Sequence, residues 1–250
     1  MFSDCQAVFF DLCGVLYEGD SVYPGAVDAV QAALRQGKVV RYVTNTATRS
    51  ETDICDKLLR LGFPVEDGQL YAAPRAARDY VAARNLRPLC LVHPAILGYF
   101  EGLATEDEPN CVVLGDAREG LHYDALNHAF RVCMNGAPLI GIGRNKYFKD
   151  AGQLMLDAGA FIAALEWATG VEAVIMGKPS EDFFLQIVHS TGHEPKDCLM
   201  IGDDVNGDIV GAVNAGLQGC LVRTGKYRSS DDDTLPVSAR IVDSIADCMN

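Results

Sequence analysis

Short runs of β-branched and other apolar residues alternate with stretches of helical period along nearly the whole chain. That alternation restricts the fold to parallel βα units. Ala7-Val8-Phe9-Phe10 reads as a strand, and over residues 26–36 Val27, Val30 and Leu34 share a helical face closed by Gly37. Val39-Val40-Arg41-Tyr42-Val43 is the next strand. Ser50 with Asp53 resembles a capping box for a helix carrying Ile54, Leu58 and Leu61 and ending at Gly62. The pattern restarts near residue 78, with strands at 89–92, 112–114 and 139–142 and helices at 123–135 and 157–168, closed by Gly136 and Gly170. Trp167, in the second of these helices, is expected to pack in the core. Ala173-Val174-Ile175-Met176 leads into Gly177-Lys178-Pro179, with Ser180 as the cap of a helix over 181–191. A strand at 198–201, a short helix at 208–214 and a strand at 220–222 follow, and residues 228–233 read as a surface loop.

A chain of 250 residues, 49% hydrophobic, can fill one large α/β domain or two smaller ones. No apolar run reaches the roughly 18 residues a membrane span needs. Residues 1–5 show no basic patch followed by a long apolar stretch, so no secretory signal is expected. The nine cysteines are odd in number, scattered and without a C-x-x-C pair, which points to reduced thiols in a cytoplasm rather than a disulfide framework or zinc site. A net charge of −13 argues against nucleic acid or an anionic membrane as partner. An anionic substrate would then have to be met by a metal ion, helix N-termini and a few placed cations.

In open parallel sheets, ligands bind beyond the carboxyl ends of the strands. Four strand ends carry polar residues: Asp11 after Phe9-Phe10, Thr44-Asn45 after Tyr42-Val43, Lys178 after Ile175-Met176-Gly177, and Asp203-Asp204 after Met200-Ile201-Gly202. Taken singly, each is as well explained as a helix cap or turn former. Gathered at one sheet edge, they fit phosphoryl transfer. A carboxylate can attack phosphorus to give an aspartyl-phosphate, Mg²⁺ suits clustered carboxylates and phosphate oxygens, and a hydroxyl, an ammonium and backbone N–H groups can hold the remaining oxygens.

Asp11-Leu12-Cys13-Gly14-Val15-Leu16 resembles the first motif of the haloacid dehalogenase-like (HAD) phosphatases. Val43-Thr44-Asn45 resembles the second, Gly177-Lys178-Pro179 the third, and the run from Gly202 to Ile209 the fourth. Pro24-Gly25-Ala26, residues 161–169 and Val222-Arg223-Thr224-Gly225-Lys226-Tyr227-Arg228 are similar to the NagD-like branch. The resemblance implies a Rossmann-like parallel-sheet core over residues 1–77 and 178–250, with a large α/β cap inserted at 78–177. It implies that Asp11 is nucleophile and Mg²⁺ ligand, that Cys13 gives its backbone carbonyl to the metal and that Asp203 gives a carboxylate. Asp208 would orient metal-bound water or Lys178 from behind, and Asp204 would either support the site in the same way or cap a helix. Thr44, Asn45 and Lys178 would bind the phosphoryl group of a small phosphorylated substrate enclosed by core and cap. A homodimer through the cap is a further implication.

One position departs from that pattern. Most phosphatases of the superfamily carry a second aspartate two residues after the nucleophile, to protonate the leaving group, and here the residue is Cys13. General acid–base catalysis contributes about 10²–10⁴ in rate. Substrates with good leaving groups (phosphoramidates, pyrophosphate, aryl phosphates) are therefore expected. Next to carboxylates, the thiol is expected to stay protonated. One rival is a phosphate-binding pseudoenzyme with a regulatory role, against which the retention of Asp11, Lys178, Asp203 and Asp208 weighs. A dehalogenase or phosphonate hydrolase is the other, disfavoured by the acidic metal motif and by the lack of an identifiable cap lysine. The histidines (93, 122, 128, 189, 193) show no ligand spacing, and the basic run Arg144, Lys146, Lys149 reads as a solvated loop.

Overall fold

An apolar run without alternation belongs to a strand covered on both faces, and Ala7–Asp11, apolar up to its final aspartate, is buried at every residue. In the computed structural model, which describes residues 4–103, 108–150 and 153–249, this is strand β1. A small hairpin, β2 (Tyr17–Glu18) and β3 (Ser21–Val22), follows, then α1 (Ala26–Arg35), β4 (Val39–Thr44), α2 (Glu51–Arg60) and β5 (Leu70–Ala72). The chain continues through α3 (Ala73–Ala83), β6 (Pro88–Leu91), β7 (Cys111–Leu114), α4 (Tyr123–Met134) and β8 (Leu139–Ile142). Next come the hairpin β9 (Tyr147–Asp150) and β10 (Gln153–Leu156), α5 (Ala158–Thr169) and β11 (Val174–Met176). The last elements are α6 (Glu181–His189), β12 (Cys198–Gly202), α7 (Gly211–Asn214), β13 (Gln218–Val222) and β14 (Arg240–Val242). Residues 1–3, on which the expectation of no signal segment partly rests, and the Lys149 side chain lie outside the described residues.

The chain divides into two units. One comprises Met1–Thr44, Glu51–Tyr71 and Lys178–Asn250, the other Asn45–Ser50 and Ala72–Gly177. In the first, a six-stranded sheet runs β14-β13-β12-β1-β4-β5. Strand β1 lies parallel between β12 and β4, with Phe10 opposite Ile201 and Asp11 opposite Val43. This register brings the ends of β1, β4 and β12, and the polar residues there, to one edge. Helix α1 covers the sheet with Ala26, Ala29, Val30 and Ala33, an i, i+3, i+4, i+7 stripe. The small side chains let the helix lie close.

The second unit is built on a four-stranded sheet in the order β11-β8-β7-β6, all of whose pairings are parallel. Helix α5 buries Ala158, Gly159, Ile162 and Leu165. Trp167 is 90% exposed, contrary to the expectation that it packs in the core. At 100° per residue, position 167 falls roughly opposite the 158–162–165 stripe. Ser180 occupies the cap position of α6, yet its side chain makes no capping bond. The run 208–214 divides into a wide turn over Val205–Val210 and the single helical turn α7. No described helix is long and apolar enough to cross a membrane.

Replacing Ile162 by Ala should cost about 2–5 kcal/mol of stability, whereas Trp167→Ala should stay within about 0.5 kcal/mol of wild type. Urea denaturation of the full chain checks the contrast. Equal losses would contradict the assigned face of α5.

Candidate active site

Four buried charged groups meet at the carboxyl edge of the six-stranded sheet. Asp11 ends β1, Asp203 follows β12, Asp208 lies in the turn beyond it, and Lys178 follows β11. The Lys178 ammonium donates to Asp11 Oδ1 at 2.5 Å and lies 2.5 Å from Asp208 Oδ1. Asp208 uses its other oxygen, Oδ2, to accept the backbone N–H groups of Asp203 (3.2 Å) and Asp204 (3.1 Å). One carboxylate thereby orients the lysine and pins the backbone that carries Asp203.

Asp203 is held from the other side. Its Oδ2 accepts the Lys226 N–H at 2.7 Å, while its Oδ1 is buried and accepts no hydrogen bond from the described residues. Gly14 and Gly225 wall it in, since a Cβ on either would overlap the carboxylate. Gly14 also has φ +88°, a region that side-chain-bearing residues rarely adopt. The Thr224 hydroxyl donates to the Gly14 carbonyl at 2.5 Å, tying the loop after β13 to the loop after β1.

Burial pushes Asp203 and Asp208 above the ordinary carboxylate range, and the proximity of Asp11 pushes both further. For Lys178, burial works against the charged form, but Asp11 and Asp208 outweigh it and hold the ammonium above the usual lysine range. One lysine therefore faces three carboxylates. Oxygens of Asp11, Asp203 and Asp208 lie within 4.8 Å of one another. A buried oxygen without a donor, surplus negative charge and an all-oxygen donor set together suit a hard divalent cation.

Asp204 is a helix cap, accepting the Gly207 N–H at 2.8 Å. Burial would raise its pKa, yet that N–H and the Lys226 ammonium, 3.4 Å from Oδ2, lower it. Thr44 is buried at the end of β4, at the same sheet edge as Asp11. Asn45 belongs to the second unit, where its Oδ1 would lie 2.9 Å from a Cβ on Gly177. Cys13 has solvent-exposed surface, but the protein packed around its sulfur raises the thiol pKa, with Asp11 and Glu18 adding to the effect. The thiol is thus protonated near neutrality.

Sequence reasoning gave no role to Gly14, Thr224 or Lys226. The last two lie two and four residues beyond the end of strand β13, in the loop at the same sheet edge, so a strand-end rule widened to the following loop would reach them. Two other groups are occupied elsewhere. His93 caps the short helical segment Pro94–Phe100 and His122 caps α4, each accepting a backbone N–H on Nδ1. Arg144 is bound through both terminal nitrogens to Glu166, at 3.0 and 2.6 Å.

Comparison with known proteins agrees with this architecture. A haloacid dehalogenase-like hydrolase family model matches residues 8–104, and a HAD-hydrolase-like model matches residues 175–248. The haloacid dehalogenase-like hydrolase domain-containing protein 2 of Bos taurus is 43% identical over 230 residues, 92% of this chain and 88% of the relative. The phospholysine phosphohistidine inorganic pyrophosphate phosphatase of Xenopus laevis is 41% identical over 241 residues, 94% of this chain and 89% of the relative. Among solved structures, the p-nitrophenyl phosphatase from Archaeoglobus fulgidus superposes with a TM-score of 0.90 at 24% identity, covering 98% of both chains. NagD from E. coli K-12 superposes at 0.86 and 22%, covering 97% of both. The chain belongs to the haloacid dehalogenase-like hydrolase family, and its fold is that of the NagD-like phosphatases.

Lys178→Met would leave three buried carboxylates facing one another without their cation. Removing one partner of a buried ion pair costs about 3–5 kcal/mol, so the variant should lose stability on that scale in chelator-treated protein. Unchanged thermal and urea midpoints would contradict the assigned role of the lysine.

Proposed function

We propose that this chain is a Mg²⁺-dependent phosphatase that uses Asp11 as nucleophile on a small phosphorylated substrate with a good leaving group. The observation that carries the proposal is the Asp11–Lys178–Asp208 network beside the donor-free Asp203 oxygen. Asp11, Asp203 and the Cys13 backbone carbonyl would hold the ion. Bound there, Mg²⁺ would neutralise the carboxylates and polarise the phosphoryl group. Asp208, occupied by Lys178 and two backbone N–H groups, acts from behind, and Asp204 serves as the cap of the turn.

Asp11 attacks phosphorus in line, and the leaving group departs with the electron pair of the broken bond. The resulting aspartyl-phosphate is cleaved by water, releasing inorganic phosphate and restoring the carboxylate. Lys178, Thr44 and Asn45 hold the phosphoryl oxygens as charge spreads over them. A protonated thiol at position 13 is a poor substitute for the carboxylic acid that would protonate an alkoxide. Leaving groups that depart without help are favoured accordingly: a phosphoramidate nitrogen, a phosphate or a phenolate. The Xenopus relative, a phosphatase of phospholysine, phosphohistidine and pyrophosphate by name, supports the same substrate class.

The unit that carries Asp11, Thr44, Lys178 and Asp203 is read as the core and the 72–177 segment as the cap that selects the substrate, with dimerisation through the cap. The scattered cysteines, without a C-x-x-C pair, support a cytoplasmic location as part of the same reading.

Phosphate release from p-nitrophenyl phosphate, pyrophosphate and a phosphoramidate should require both Mg²⁺ and Asp11. Chelation or Asp11→Asn should abolish it. Silence on all three from folded wild type that still binds Mg²⁺ would favour a phosphate-binding regulator instead. Cys13→Asp should raise turnover on an alkyl phosphate, by up to about 10²–10⁴-fold, with little change on p-nitrophenyl phosphate. No gain on any substrate would remove the leaving-group explanation.

A further inference from the structure

We infer that Thr224 is a positioning residue that fixes the backbone carbonyl of Cys13 relative to Asp203, and thereby sets how tightly and how selectively the acidic pocket holds its cation. The inference rests on the metal-dependent function proposed above. The Cys13–Gly14 peptide is planar, so its N–H and its carbonyl are aimed together, in opposite directions. The Gly14 N–H donates to the Tyr17 carbonyl at 2.9 Å, which turns the Cys13 carbonyl the other way. The next peptide plane is fixed by the Thr224 hydroxyl, donating to the Gly14 carbonyl at 2.5 Å. Gly14 itself, at φ +88°, has no Cβ to narrow its choice of backbone angles. Bonds to its two neighbouring peptides therefore decide where the Cys13 carbonyl points.

The same loop fixes Asp203. Two residues beyond Thr224, the Lys226 N–H holds Asp203 Oδ2 at 2.7 Å and leaves Oδ1 to the pocket. Gly225, between them, approaches both Asp203 and Gly14 too closely for any Cβ. The loop after β13 thus sets the spacing between a backbone oxygen after β1 and a carboxylate oxygen after β12. Spacing matters differently to different ions. Mg²⁺ requires near-octahedral ligands at about 2.0–2.1 Å, whereas Ca²⁺ accepts about 2.3–2.6 Å and irregular arrangements. Loosening the Gly14 carbonyl should therefore penalise Mg²⁺ more than Ca²⁺.

The experiment is calorimetric titration of the substrate-free full chain with Mg²⁺ and, separately, Ca²⁺. Wild type is compared with Thr224→Val, which removes the hydroxyl at nearly constant volume, and Thr224→Ser, which keeps it. The valine variant should bind Mg²⁺ about 10–100-fold more weakly, the scale on which residues supporting metal ligands act. Its Ca²⁺ affinity should change much less, and its metal-free melting temperature should fall by no more than the few degrees that losing one part-buried hydrogen bond costs. The serine variant should bind both ions as wild type does. Wild-type Mg²⁺ affinity in the valine variant, or equal weakening of both ions, overturns the inference while leaving the proposed function standing. A wild type that takes up neither ion overturns both. Should the valine variant fail to fold, Thr224→Ala removes the same hydroxyl without a second methyl against the Gly14 carbonyl, and the same outcomes apply.

Discussion

A single buried ammonium organises the candidate site. Lys178 lies within 2.5 Å of a carboxylate oxygen of Asp11 and of Asp208, so it connects the end of β1, the turn after β12 and the segment leaving β11. Buried charges persist only when paired and hydrogen-bonded. The lysine meets that requirement through both carboxylates, and Asp208 meets it further through two backbone N–H groups. Taking away the lysine would leave three acidic groups at a low-dielectric edge without the one buried ammonium among them, opposed only by backbone N–H groups and the more distant Lys226.

Charge balance then sets the chemistry. Three buried carboxylates against one buried ammonium leave a surplus that burial makes expensive, and one Asp203 oxygen accepts no hydrogen bond from the described residues. A cation coordinated by oxygen would relieve both at once, and it would draw in a phosphate that a chain of net charge −13 otherwise repels. Asp11, the proposed nucleophile, ends a strand that is buried throughout and has the Lys178 ammonium beside it.

Much of this was legible in the sequence because strand ends are where open parallel sheets put their chemistry. The apolar runs ending in Asp11, Thr44 and Gly202-Asp203 are short and unambiguous, and parallel register carries them to one edge. Less legible were features that depend on approach between loops. Gly14 and Gly225 look like ordinary turn glycines until Asp203 is seen packed against them. Thr224 and Lys226 lie in the 222–228 run that resembles the NagD-like branch, but the run does not say what they do, because it is done by one hydroxyl and one backbone N–H reaching across loops. Trp167 failed for another reason. Helix α5 is apolar around most of its circumference, with Phe161, Ile162, Leu165 and Trp167 all candidates, so composition alone did not say which stripe faces inward.

Under the proposed mechanism, Cys13 would separate this chain from a general-purpose phosphatase while leaving the proposed nucleophile, Asp11, and its supports in place. The most direct test of the account is to mix the enzyme with Mg²⁺ and p-nitrophenyl phosphate, quench in acid during turnover, and map phosphorylated peptides by mass spectrometry. A phosphoryl group on the peptide containing Asp11, absent from Asp11→Asn and from chelated enzyme, is the predicted result. Phosphate release in step with nitrophenol, without an adduct at Asp11 at any quench time and undiminished in Asp11→Asn, would contradict it.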